Sequence, residues 1–169
     1  MVAKRRTPLA EYERAVAVYT AAGGQETVQR VVTAISRLSR RLDIFYRDQF
    51  VELALAPGEW SVLQAVALEG RNGGSTPTRL ADLGGVSPST MTHRLDRMVA
   101  RGLVQRTPDP ENRTRIKVAL TDAGWELFRT AVLDADTVEA DILSSLDDRE
   151  RRQLASLLEK LVAGLPHSH

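Results

Sequence analysis

The strongest constraint on the fold lies between Thr76 and Val104, where two short helical segments are separated by a very tight turn. The second segment opens at Ser87, whose hydroxyl can accept one of the first free amide protons of a helix. Pro88 follows at the position where a missing N–H costs nothing, and Val86 and Met91 stand at the two ends of a hydrophobic staple. Met91, Leu95, Met98 and Val99 recur at helical spacing and define an apolar face. Ser89, Thr90, His93, Arg94, Arg97 and Arg101 lie on the other face, with Asp96 as its acid, and Gly102 is placed to close the helix. Upstream, Thr76 caps and Pro77 opens a shorter helix through Leu83 that ends at Gly84-Gly85, where glycine permits a sharp left-handed reversal. Two helices joined in this way make a helix-turn-helix, with the second as the reader of a DNA groove. Taken alone, the polar face also fits a solvated surface helix. Its flanks favour the reader.

Downstream, residues 103–107 and 116–120 read as strands, because Ile116, Val118 and Leu120 alternate with Lys117 and Ala119. The intervening PDPENRT has the composition of a hairpin tip. Helix, turn, helix and hairpin make a winged helix-turn-helix. Charge follows the same division. Residues 71–119 hold nine Lys/Arg against four Asp/Glu, whereas residues 1–70 hold nine against eight and residues 120–169 five against ten. A net charge of only +1 therefore conceals a basic reader and wing, as phosphate contact requires, beside an acidic C-terminal third.

The stretch TPTRLADLGGVSPSTMTHRLDRMVARGLVQRTPDPENRTRIKVALTDAG resembles the DNA-binding core of the MarR family of bacterial transcription regulators, and PGEWSVLQAV resembles the helix leading into it. The likeness runs from about Pro57 to Gly124. It implies that Ser89, Thr90, His93 and Arg94 approach bases and that Arg97 and Arg101 meet phosphates. Ser87 and Thr92 belong to the same DNA-facing helix, and Arg113, with Arg115 beside it, reaches the adjacent minor groove. One departure concerns the wing. Where such proteins often carry Asp-x-Arg, this chain has Asn112-Arg113-Thr114, so the wing stays basic while its internal salt bridge lacks the expected acid.

The other helices are expected to dimerise. Residues 1–8 are expected to be a disordered basic tail. Residues 9–22 carry Leu9, Tyr12, Val16 and Tyr19 at helical steps before Gly23-Gly24. Residues 25–55 form one long helix with Val28, Val31, Val32, Ile35, Leu38, Leu42, Phe45 and Phe50 near one stripe. Residues 58–69 follow, with Trp60, Leu63, Val66 and Ala67 on one face and Trp60 read as core. Thr121 caps a helix to Leu146 through Trp125, Phe128, Val132, Ala135, Val138 and Ile142. Asp147 and Glu150 then form a capping box for a last helix whose stripe is Leu154, Leu157, Leu158, Leu161 and Leu165. These stripes are too apolar for lone surface helices and suit burial across a two-fold axis, with an intramolecular bundle as the rival.

The expected architecture is mainly α with a small β-hairpin wing. N-terminal dimerisation helices span 9–56, the winged helix-turn-helix 57–120 and C-terminal dimerisation helices 121–166, together one compact domain. Zero cysteines rule out disulfides, thiolate metal sites and the thiol-based peroxide sensing of some MarR-like proteins. No apolar run reaches the ~18 residues of a membrane span and no signal peptide is visible, so a cytoplasmic location is expected. No nucleophile-base pattern or phosphate loop stands out. The histidines, His93 on the DNA face and His167 and His169 in the tail, do not cluster, so no enzyme, metal or cofactor is expected.

The resulting expectation is a homodimeric regulator, a repressor, that binds a pseudo-palindromic operator in double-stranded DNA. The resemblance implies relief by a small anionic aromatic ligand held by Arg37, Arg41, Phe45, Trp60, Ser61 and Arg94. The extra N-terminal helix resembles the urate-responsive subgroup, but Ser61 stands where those relatives usually carry Asp, which argues against urate itself. A winged-helix protein-interaction module and a small-molecule-binding helical protein without DNA binding are the alternatives.

Overall fold

The structure is a computed structural model that describes residues 7–69, 74–109, 112 and 115–166. In chain order it contains α1 (Pro8–Ala21), α2 (Glu26–Glu52), α3 (Pro57–Glu69), α4 (Pro77–Leu83), α5 (Pro88–Ala100), β1 (Val104–Pro108), β2 (Ile116–Leu120), α6 (Asp122–Ile142) and α7 (Asp148–Ala163). Two compact units emerge, Met1–Gln49 and Phe50–His169. The basic tail expected over residues 1–8 falls mostly outside the described residues, as do His167 and His169.

The first unit pairs α1 with most of α2. Thr7 caps α1 by accepting from Ala10 N. Of the four residues read as its apolar stripe, Val16 is buried and Tyr12 half-buried, the Tyr12 hydroxyl donating to Arg30 O at 3.1 Å. Leu9 and Tyr19 are exposed. Along α2, Val28, Val31, Val32, Ile35 and Leu38 remain 43–51% exposed, so this unit does not bury its own stripe. Arg37 pairs with Glu11 at 3.6 Å.

The second unit holds the core. Val62, Leu63 and Val66 of α3 pack with Leu80 and Ala81 of α4 and Met91, Leu95 and Met98 of α5. Leu103, Val104, Val118 and Leu120 close it from the hairpin side. The two strands are antiparallel, with Val104 opposite Leu120 and Pro108 opposite Ile116. Strand β1 starts at Val104 rather than Leu103 because the Leu103 N–H still donates to Met98 O, closing α5 behind Gly102 at φ +69°. Ser75 adds a backbone bridge to Val118, with N···O distances of 3.0 and 2.7 Å. Trp60 lies in this packing as expected, stacked on Phe128 at 5.4 Å and tilted against Phe50 at 5.7 Å.

Helix α6 is capped by Thr121 but ends at Ile142, short of the expected Leu146, which lies in the following turn with its N–H on Leu143 O. Both arms of the Asp147–Glu150 capping box form and start α7 at once. Leu154 is half-buried, whereas Leu157, Leu158, Leu161 and Leu165 stay 40–65% exposed. An intramolecular bundle would bury them, so the C-terminal stripe is left without cover in this unit. No helix among the described residues is long and apolar enough to cross a membrane.

Candidate nucleic-acid interface

The short connection from α4 to α5 fixes the reader. Thr76 accepts from Arg79 N to cap α4, and Gly85 at φ +58° makes the turn that side chains resist. Ser87 caps α5 by accepting from Thr90 N at 3.2 Å. Because Met91, Leu95 and Met98 are sunk into the core, Ser89, Thr90, His93 and Arg97 are left on the exposed arc. The Arg97 guanidinium has no ion-pair partner among the described residues. Thr92 is exposed but spends its hydroxyl on Pro88 O.

Both flanks of α5 are tied down. On the hairpin side, Arg106 of β1 donates to Asp96 at 2.8 Å. On the α3 side, Arg101 donates to Glu59 Oε2 at 2.8 Å. The Glu59 side chain is only 6% exposed and also accepts from Ala56 N at 3.1 Å. Any phosphate contact by Arg101 thus competes with an internal ion pair. Arg94 is half-buried, and its guanidinium lies against Gly58: a Cβ built there would meet Cζ at 2.4 Å. Val99, read as part of the apolar face, is 40% exposed.

The wing is organised by a residue that the sequence pattern did not single out. Asp109 is buried and pairs with Lys117 at 3.5 Å, supplying the acid missing from the Asn112 position. Its N–H donates to Arg115 O and its carbonyl accepts from Asn112 N, which holds the base of the tip. Arg115 is exposed; Arg113 lies outside the described residues.

The expected ligand residues fall in two places. Arg37, Arg41 and Phe45 belong to the first unit, where Phe45 meets Tyr46 edge-on at 5.8 Å. Trp60, Ser61 and Arg94 belong to the second. There Ser61 and Arg94 line a cavity of about 480 Å³ with Leu68, Leu83 and Met91, while Trp60 is turned into the core. At the same cavity Glu69 accepts from Arg79. The Ser75 hydroxyl, then Arg79, hold the Glu69 carboxyl below its ordinary pKa. Among the described residues there is no group of three His, Asp or Glu able to hold a metal.

A three-helix core with a two-stranded wing and an exposed polar face on its last helix defines a winged helix-turn-helix protein. Residues 55–113 match the model of the MarR family. The HTH-type transcriptional regulator PecS of Dickeya dadantii is 28% identical over 131 residues, covering 78% of this chain and 79% of the relative. The HTH-type transcriptional repressor NicR of Pseudomonas putida is 31% identical over 91 residues, covering 54% and 58%. Among solved structures, a MarR family protein from Bacillus stearothermophilus superposes with a TM-score of 0.73 at 23% identity, over 83% of this chain and 96% of that one. A mutant of MepR from S. aureus bound to an oligodeoxyribonucleotide gives 0.61 at 18%, over 80% and 98%. The chain is thus similar, over its winged helix-turn-helix, to MarR family proteins and to relatives named as HTH-type transcriptional regulators.

Proposed function

We propose that two copies of this chain bind a pseudo-palindromic duplex operator and repress transcription in the cytoplasm. The observation that carries the reading is the exposed arc Ser89, Thr90, His93 and Arg97, which runs from the first to the last turn of α5 and ends in a guanidinium without an ion-pair partner among the described residues. Hydroxyls and a guanidinium on a projecting helix suit base edges and phosphates in a major groove. Arg94 joins this arc from its flank, Arg101 supplies a phosphate contact if it leaves Glu59, and Arg113 and Arg115 carry the wing to the neighbouring groove. Dimerisation is supported by the unburied stripes on α2 and on α7, where Leu157 and Leu161 are 56% and 54% exposed.

A small anionic aromatic effector is the second part of the reading. Its support is the cavity that brings Ser61 and the Arg94 guanidinium, which has no ion-pair partner among the described residues, beside Leu68 and Leu83. Such a ligand regulates only if it binds the free protein better than the DNA-bound one. Footprinting on duplexes selected from a random pool tests the operator, with half-sites expected about one helical turn apart. A footprint without internal symmetry would refute the dimeric operator, and equal indifference to random duplex would favour a protein-interaction module.

A further inference from the structure

Helix α5 carries Arg94, and Arg101 caps its C-terminus seven residues on, about two turns, so both guanidiniums leave the same flank and meet the first turn of α3. Glu59 holds Arg101 by charge. Residue 58 holds Arg94 by lacking a side chain. A Cβ there would stand 2.4 Å from Cζ, 2.5 Å from Nη2 and 2.8 Å from Nε, so the guanidinium rests on the bare Cα. Nothing in the backbone asks for glycine, because residue 58 is helical and has no positive φ. Alanine is the better helix former, so a glycine in this first turn weakens α3 unless the space is used. Arg94 uses it, without a hydrogen bond or ion pair to any described residue.

We infer that Gly58 is a specificity-determining positioning residue: it seats the Arg94 guanidinium on α3 and keeps that charge from contacting phosphates of any sequence. This inference rests on the operator reading given above. A seated guanidinium is offered to DNA in one orientation, whereas a free one adds a sequence-blind phosphate contact. The seat explains why one flank of the reader carries two arginines without presenting two mobile charges to the duplex.

The test is a cycle of Gly58→Ala, Arg94→Ala and the double variant, titrated on operator and random duplex over a range of salt. Gly58→Ala should stay folded, because the displaced group is the far end of a flexible side chain and alanine suits the helix. Its affinity for random duplex should rise about three- to tenfold at low salt, with the slope of log K against log salt steeper by about 0.9, one added phosphate contact. Preference for operator should fall by the same factor. In the Arg94→Ala background, Gly58→Ala should change neither quantity. A second readout, the rate at which an arginine-selective dicarbonyl modifies Arg94, should increase in Gly58→Ala. Unchanged slope, preference and modification, or equal shifts with and without Arg94, would overturn the inference. A wild-type protein with no sequence preference would overturn the specificity role together with the operator reading, and the modification rate would still show whether the seat exists.

Discussion

Replacing Arg101 by alanine is expected to cost stability before it costs DNA affinity. The Glu59 carboxylate is 6% exposed and has two donors, Ala56 N–H at 3.1 Å and Arg101 at 2.8 Å. Without Arg101, a buried charge is left with one neutral donor. Stranding one member of a buried pair costs about 3–5 kcal/mol. Arg101 itself is 36% exposed, so water enters the vacated space and the expected loss is nearer 2–3 kcal/mol. At roughly 2–4 °C per kcal/mol for a chain of this size, the melting midpoint should fall by about 4–12 °C at fixed protein concentration. Glu59→Gln should cost less, about 1 kcal/mol, because the released guanidinium reaches solvent and the amide can still accept a hydrogen bond. Leu at both positions should recover much of the loss, since a well-packed apolar pair of similar size does not bury a charge. Urea unfolding of the four proteins reads the stability, and DNA titration against salt reads the contact. An Arg101→Ala protein as stable as wild type, with its salt slope reduced by about 0.9, would show that Arg101 serves a phosphate and not Glu59.

Ser87→Ala should destabilise the chain by about 1 kcal/mol, because Thr90 N loses its cap, and the frayed reader should bind operator more weakly in a gel shift. Asp109→Ala should destabilise the chain by more than the about 0.2–1 kcal/mol of an exposed pair, because Asp109 and Lys117 are both largely buried, and should weaken DNA binding through a loosened wing. Binding equal to wild type would mean that the wing does not touch DNA. Leu157→Asp with Leu161→Asp should shift the protein to monomers in sedimentation and remove the roughly 10²–10⁴-fold gain of a two-half-site duplex over one half-site. A dimer that survives would place the interface elsewhere. Glu69, whose pKa is lowered in the fold by Ser75 and Arg79, should add stability above pH 4.5 that is lost as pH falls through its lower folded value. Glu69→Gln should flatten that part of the acid unfolding curve.

The sequence alone determined the helix-turn-helix, because its signals are local. Thr76, Ser87, Thr121 and Asp147 cap helices by reaching three residues along their own chain, and Gly85 answers a single backbone angle. The apolar periodicity of Met91, Leu95 and Met98 likewise named the face that is buried. It named less well which apolar residues stay outside: Val99 and Ile116 fit the pattern and are 40% and 42% exposed, since periodicity gives a face but not the edge of a neighbour's cover. The family motif drew attention to Asn112-Arg113-Thr114, while the acid of the wing is Asp109, brought to Lys117 only when β1 and β2 pair. Glu59 and Arg101 are 42 residues apart, and no local rule connects them. The same holds for Gly58 and Arg94, whose relation is a distance of closest approach between two helices. Caps and turns are fixed by bonds within a few residues, whereas the state of each reader arginine depends on which side chain another helix sets beside it, and that is decided by packing.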